Sequence, residues 1–413
     1  MIDRTFDVTV SGAGPTGLLS ALALARSGLR VAVCGLIPTV GGRTHDERTA
    51  ALFDTSIRLL GALDVWDDLV GSSAPICAIR LVDSMSRLAR APEVRFEADD
   101  VDLDALCWNV PTAAIVQVLH DAVSKDGSCE MLLGRKIISI EPGSDAIDVV
   151  LEDGTRVRSL LVVGADGRRS VSRECAGISA KSWDYDQVAI ATSFPHSRPH
   201  HGVSSEFHRP GGPLTVVPLP GRRSSLVWVE RTKQAAEVAK IDDRAFIAAL
   251  EEQLQGLLGR VRGVAKRSSF PLRGMVAERF AANRVALVGE AAHAFSPIGA
   301  QGLNLGIRDV ATLVECIVSY GARGGSDIGG NALLHSYSRL RQRDVSLRIY
   351  GVNILNRSLT SSLFPVGLGR GALLHAINAL PLLKTLLVQA GMSWPGALLD
   401  QLKAPGGVSA GRH

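Results

Sequence analysis

"FDVTVSGAGPTGLLSALALARSGLRVAVCG", residues 6–35, decides the fold. Residues 6–12 form a short apolar run of strand type, 14–28 are rich in Leu and Ala and suit a helix, and 29–35 form a second apolar run. This strand, helix and strand within the first 35 residues predict an α/β protein of the Rossmann-like kind. Between the first strand and the helix, Gly12-Ala13-Gly14-Pro15-Thr16-Gly17 fits G-x-G-x-x-G. Gly12 allows the tight turn, Gly14 lets a pyrophosphate approach the backbone, and Gly17 lets the helix pack close on the strand. Amide N–H groups at the helix start then face the phosphates. The motif's usual partner is an acid ending the second strand, which holds the ribose hydroxyls. Here the strand ends Val33-Cys34-Gly35, without an acid, so either the ribose is held in another way or the nucleotide is bound less tightly.

The rest of the chain extends this pattern. At 413 residues it exceeds the usual size of one core, which predicts two connected domains. Hydrophobic residues make up 46% and charged residues 21%, the balance of an ordinary α/β protein. A net charge of +4 does not suggest a polyanionic partner, and nucleic-acid binding is not expected. Six cysteines are scattered without a C-x-x-C, which predicts reduced core thiols in a cytoplasmic protein. The start lacks the apolar run of a signal peptide, and no stretch of about twenty apolar residues offers a membrane span. A helix is expected over 111–125 and buried strands over 159–167 and 284–289, whereas 181–280 reads as an antiparallel sheet broken by Pro and Gly turns.

Two further glycine junctions follow apolar strands. "VVGADGRRSVSR" (162–173) places Asp166 beside Arg168, Arg169 and Arg173, a carboxylate and cations suited to a phosphorylated ligand, although a plain Asp-Gly turn would read the same way. "RVALVGEAAHAFSPIGAQGLNLGIRD" (284–309) adds Gly289 and Glu290 and then three glycines, Gly299, Gly302 and Gly306, where a helix begins. Such glycines suit either a ligand approaching bare backbone or an ordinary helix cap.

These three segments, in this order, resemble the class A flavoprotein monooxygenases, the FAD-dependent aromatic hydroxylases. The resemblance covers nearly the whole chain and extends to "HDERTAAL" (45–52), where Arg48 matches an arginine near the flavin. It implies that Gly12, Ala13, Gly14, Pro15, Thr16 and Gly17 hold the ADP part of FAD, that the segment with Asp166 contacts FAD and the nicotinamide nucleotide, and that Gly289 and Glu290 hold the ribitol and pyrophosphate. The family pattern has Asp where this chain has Glu290. Pro297, Gly299, Gly302, Leu303 and Asn304 would run along the flavin ring, with the helix N-terminus stabilising the negative charge of the reduced pyrimidine edge. No second G-x-G-x-x-G is present, which fits a family that binds NAD(P)H transiently.

The resemblance also divides the chain. Residues 1–72, 99–180 and 281–340 would form the FAD-binding domain, with 73–98 and 181–280 as an inserted antiparallel-sheet substrate domain and 341–413 as a C-terminal helical region and tail. "GAQGLNLGIRD", "FHRPGGPLTVVPLPGRRSSLVWVE" (207–230) and "GVNILNRSL" (351–359) look most like the UbiH/UbiF-like branch, which hydroxylates ubiquinone precursors. The implied activity is hydroxylation of a polyprenylated phenol with NAD(P)H and O2 through a flavin C4a-hydroperoxide, with no side chain singled out as a catalytic acid or base. Two alternatives stay open: a hydroxylase or epoxidase of another aromatic or apolar substrate, and a flavin-poor scaffold subunit of a quinone-biosynthesis complex. Residues 345–399 contain no Asp or Glu but carry Arg348, Arg357, Arg370 and Lys384. That composition suits either a packed helical cap or a peripheral contact with the inner membrane face or a protein complex. His196, His200, His201 and His208 read as hydrogen-bonded loop histidines rather than metal ligands, and Trp183, Phe207 and Trp228 as ring-pocket or core residues.

Overall fold

The computed structural model describes residues 3–37, 47–84, 93–295 and 301–360. Pro297, Gly299 and the chain beyond 360 lie outside the described residues. A parallel sheet grows from the opening unit. Val8–Ser11 pairs in parallel with Val31–Gly35 on one side and Leu161–Gly164 on the other. Cys129–Leu133 and Val285–Leu287 extend it outward, and Ala281–Ala282 adds an antiparallel edge. A parallel sheet covered on both faces has strands that are apolar without alternation; helices and a four-stranded sheet that includes Ile137–Pro142, Ile147–Leu151 and Arg156–Ser159 share its core, and Val8, Val10, Val31, Val33, Val162 and Val163 are all fully buried. Helix Pro15–Arg26 buries Leu18, Ala21, Leu22 and Ala25 and packs against helices Thr112–Lys125 and Gln301–Gly321. Pro15 suits its first turn, where an amide hydrogen would have no helical partner.

The second large unit is an eight-stranded sheet in the order His293–Ala294, Ser268–Ala277, Ala180–Pro195, Arg223–Arg231, Gly212–Leu219, Val203–Arg209, Ala78–Asp83, Val94–Glu97. Its neighbours run antiparallel except Val203–Arg209 and Ala78–Asp83, which are parallel. Residues 181–280, read from the sequence as an antiparallel sheet, supply most of its strands and also contain helices Thr232–Lys240 and Asp243–Leu254. The second is capped by Asp242, which accepts from the Ala245 amide at 2.7 Å. Its Phe246, Leu250 and Leu254, four residues apart, face the sheet.

The two faces of this sheet differ. On the helix side, Phe194, Leu214, Leu226 and Trp228 pack with Phe246 and Leu250. On the other, Ser225 meets Thr49 (Oγ to Oγ1, 3.0 Å), Ser193 donates to Glu47 Oε2 (2.7 Å), and the Asn109 side chain donates to the Pro218 carbonyl (2.8 Å). Those partners belong to or adjoin a three-stranded sheet of Thr49–Phe53, Cys107–Pro111 and Ala74–Ile76. Phe207 and Trp228 therefore belong to the helix-side core, and Trp183 stands edge-on to Tyr185 and against Gly274.

Candidate functional site

The three glycine junctions meet at the carboxyl ends of the parallel strands. Gly12 takes φ +109°, and a Cβ there would stand 2.5 Å from the Ala165 carbonyl oxygen. A Cβ on Gly17 would overlap the Gly12 carbonyl oxygen. Thr16 is enclosed by the third junction: its Oγ1 would lie 2.9 Å from a Cβ on either Gly289 or Gly306. Gly306 is therefore glycine because helix Gln301–Gly321 crosses helix Pro15–Arg26 at close range.

Gly14 and Gly302 are different. A Cβ on either would meet nothing among the described residues within 4 Å. Gly14 is the N-cap of helix Pro15–Arg26 and supplies no side-chain cap, so its first amides point to an open place suited to an anion. A pyrophosphate fits this cradle, and the residues present fit FAD.

Asp166 is occupied by its own loop. Oδ2 accepts from the Ser172 amide at 2.9 Å and Oγ at 3.0 Å, and Oδ1 accepts from Ser170 Oγ, which fastens the turn to helix Val171–Cys175. The arginines after it tie the second junction to the third. Arg173 donates to the Ala291 carbonyl at 2.8 Å, and Arg168 pairs with Glu290 at 3.1 Å. Glu290 is half-exposed, so its carboxylate stands at the surface of this cradle.

Asp309 escaped the sequence reading and is the anchor of the third junction. Fully buried, it accepts from the Gly289 amide (2.8 Å) and His293 Nε2 (2.6 Å) through Oδ2, and from Arg341 Nε (2.7 Å) through Oδ1. Burial acts to raise its pKa, but His293 and Arg341 outweigh that and hold the carboxyl below its ordinary value. Asp344 extends the network to Arg341 (2.7 Å) and Arg348 (3.0 Å); burial acts to raise its pKa, and these two arginines outweigh that and hold the carboxyl below its ordinary value. The available signal was a lone acid on the apolar face of "LGIRDVATLV".

Asn304 and Arg48 converge on strand Thr49–Phe53. The Asn304 side chain donates to the Ala51 carbonyl (2.7 Å) and accepts from the Phe53 amide (3.0 Å) and Ser56 hydroxyl (2.8 Å). Its side chain locks the strand, and Leu303 packs against the main core. Arg48 lies 4.8 Å over the Phe270 ring, at the seam between the short and large sheets. Gly35 takes φ +145°, and a Cβ on it would come 3.4 Å from Gly12 Cα. That distance is ordinary contact, so the positive φ, which L side chains rarely adopt, rather than lack of space accounts for a glycine where the motif usually has an acid.

Of the four histidines expected on loops, His208 lies in strand Val203–Arg209, 3.4 Å from Glu206, and His196 and His200 brace the backbone. His196 spans the Arg198 carbonyl (2.7 Å) and Ser224 Oγ (3.0 Å), and His200 spans the Leu219 carbonyl (3.0 Å) and the Gly202 amide (3.1 Å).

The family described as FAD binding domain matches residues 5–347. The ubiquinone hydroxylase UbiL of Rhodospirillum rubrum is 36% identical over 392 residues, which span 94% of this chain and 90% of that protein. The 3-demethoxyubiquinol 3-hydroxylase of Escherichia coli is 27% identical over 93% of this chain and 97% of its own. Among solved structures, p-nitrophenol 4-monooxygenase PnpA of Pseudomonas putida DLL-E4 shares the fold, with a TM-score of 0.74 at 20% identity over 93% of this chain and 97% of that one. With the matched family spanning most of the chain and its glycine junctions assembled into one cradle, the protein belongs to the FAD-binding-domain family, the class A flavoprotein monooxygenases.

Proposed function

We propose that this FAD-dependent monooxygenase hydroxylates the aromatic ring of a polyprenylated phenol in ubiquinone biosynthesis, with NAD(P)H as electron donor and O2 as oxidant. The observation that carries the reading is the 36% identity, over nearly the full length, to a protein named as a ubiquinone hydroxylase. FAD, when bound, supplies the redox chemistry, taking hydride from NAD(P)H and activating O2.

The chain's own residues bind, orient and shield. The amides that follow Gly14 hold the pyrophosphate, and the packed glycines Gly12, Gly17 and Gly289 fix the loops that present them. Gly302, Leu303 and Asn304 open helix Gln301–Gly321, whose N-terminus stabilises negative charge placed before it. Asn304 keeps that helix start in register with the strand entered by Arg48. Glu290, through Arg168, joins the second and third junctions at the cradle's surface. A phenol substrate requires positioning and exclusion of water.

No helix among the described residues is long and apolar enough to cross a membrane. Arg348 is held by Asp344, so contact with an anionic bilayer that carries the lipid substrate rests on Arg357, Arg370 and Lys384.

The test is mass spectrometry of quinone lipids from cells lacking the gene, with and without restored copies. The expected result is an under-hydroxylated polyprenylphenol that disappears with the wild-type copy and persists with Gly14→Glu. Unchanged ubiquinone with no precursor, in a strain without a second hydroxylase, would overturn the proposal.

A further inference from the structure

Away from the flavin cradle, the helix-side face of the large sheet carries a cleft of about 270 Å³ where Val203–Arg209, Ala78–Asp83 and Val94–Glu97 lie side by side. Arg80, Arg95 and Arg198 line it, with the hydroxyl residues Ser205 and Ser224. Arg80 and Arg95 are directly opposite one another across the antiparallel ladder. Like charges so placed repel and destabilise the pairing. The nearby carboxylates compensate only in part: Glu97 pairs with Arg95 at 2.7 Å, Glu93 stays 3.8 Å from Arg80, and neither lines the cleft. Arg80 Nε makes no hydrogen bond among the described residues; it faces Glu93 at ion-pair distance, and the guanidinium lies 6.0 Å over the Phe207 ring. Arg198 donates to the Gly256 carbonyl at 2.9 Å, and among the described residues no carboxylate pairs with it.

The cleft wall is built rather than incidental. Buried His196 joins the Arg198 carbonyl to Ser224 Oγ, and His200 joins the Leu219 carbonyl to the Gly202 amide. Burial holds His196 below its ordinary pKa, so it serves as a neutral brace. The histidines noted in the sequence thus shape a wall, and the arginines supply the charge.

From the opposed arginines, Arg198 with no carboxylate partner among the described residues, and the braced wall, we infer that this cleft binds a small phosphate-bearing anion. Among the described residues three guanidiniums from separate segments outnumber their two adjacent carboxylates, Glu93 and Glu97, and the guanidinium fork suits the several oxygens of a phosphate. The cleft lies on the sheet face opposite Ser193 and Ser225, which meet the elements around Arg48. None of the residues lining the cleft belongs to the three glycine junctions. The phosphate belongs either to a soluble metabolite or to a lipid headgroup.

The full-length FAD-loaded protein separates these sources. Inorganic phosphate is titrated by calorimetry, and sedimentation follows binding to phosphatidylcholine vesicles with and without phosphatidic acid. Saturable phosphate binding, weakened roughly tenfold or more in Arg80→Gln/Arg198→Gln with FAD content and Tm unchanged, is expected. Arg198→Gln alone, on an exposed loop, gives an intermediate loss and guards against misfolding of the double variant. Vesicle binding that needs phosphatidic acid and these arginines identifies the lipid source, and phosphate binding without it identifies the soluble one. Absence of saturable binding to either probe, or binding indifferent to the substitutions, would overturn the site.

Discussion

Gly14 and Gly17 stand three residues apart in one motif and are glycine for opposite reasons. Around Gly17 the molecule is full: the Gly12 carbonyl and the Ala165 methyl close on it, and neighbouring Thr16 packs against Gly289 and Gly306, a floor in which protein touches protein. Around Gly14, and again around Gly302, the described residues leave open space at the start of a helix. The floor sets stability and the lip sets ligand affinity, so substitutions in the two places should fail differently.

The deepest part of the floor is Asp309. Asp309→Ala leaves Arg341, His293 and the Gly289 amide without their shared acceptor, and removing one partner of a buried pair costs about 3–5 kcal/mol. Chemical denaturation should show that loss in the apoprotein, before any flavin is added. The pH dependence has a definite sign. Because the folded Asp309 carboxyl lies below its ordinary value, its contribution is present above the unfolded carboxylate range, about pH 4, and is lost as pH falls through the lowered folded value. Wild-type stability should therefore be flat in this respect from neutral pH down to about 5, and the gap to Asp309→Asn should narrow only below about 4.

Gly17→Ala strikes the floor sterically. Its Cβ overlaps the Gly12 carbonyl oxygen, and backbone cannot swing aside as a side chain can, so the cost should reach the upper end of overpacking, about 3 kcal/mol. A lowered Tm of the apoprotein checks it. Gly14→Glu is the contrasting case at the lip. The apoprotein should keep its Tm, because nothing described lies within 4 Å of the new Cβ, while the carboxylate occupies the anion place and the purified protein loses its yellow colour. A Gly14→Glu protein that melts early would erase the distinction between floor and lip.

What the sequence disclosed follows the same division. The strand, turn and helix of residues 6–28 were legible because both periodicity and glycine placement are local, and the helix runs Pro15–Arg26 as the pattern implies. Asp309 was not legible, since its partners are 16, 20 and 32 residues distant and only the fold brings them together. Gly35 appeared in the sequence only as a missing acid; its positive φ and its approach to Gly12 are three-dimensional facts. Helix Asp243–Leu254 was hidden because its apolar face is only three side chains, Phe246, Leu250 and Leu254, amid a run of turn-rich strands. Asp166 and Asn304 were singled out from the sequence, whereas the hydrogen bonds that commit their side chains to the surrounding chain could not be read there.

The smallest effect belongs to Glu290, which touches both floor and lip. Its backbone is fixed through the neighbouring Gly289, and its half-exposed carboxylate pairs with Arg168. A pair this exposed contributes at most about 1 kcal/mol, so Glu290→Gln should shift stability by less than that. If the carboxylate orients Arg168 toward the cofactor, FAD affinity measured by flavin fluorescence should still fall severalfold, and Arg168→Gln should reproduce the loss without adding to it in the double variant. Glu290→Asp retracts the carboxylate by one methylene from Arg168, and comparing its affinity with that of Glu290→Gln distinguishes charge from reach. An additive double variant would mean that the two side chains meet FAD independently, and the ion pair between the second and third junctions would then be a contact without a shared role.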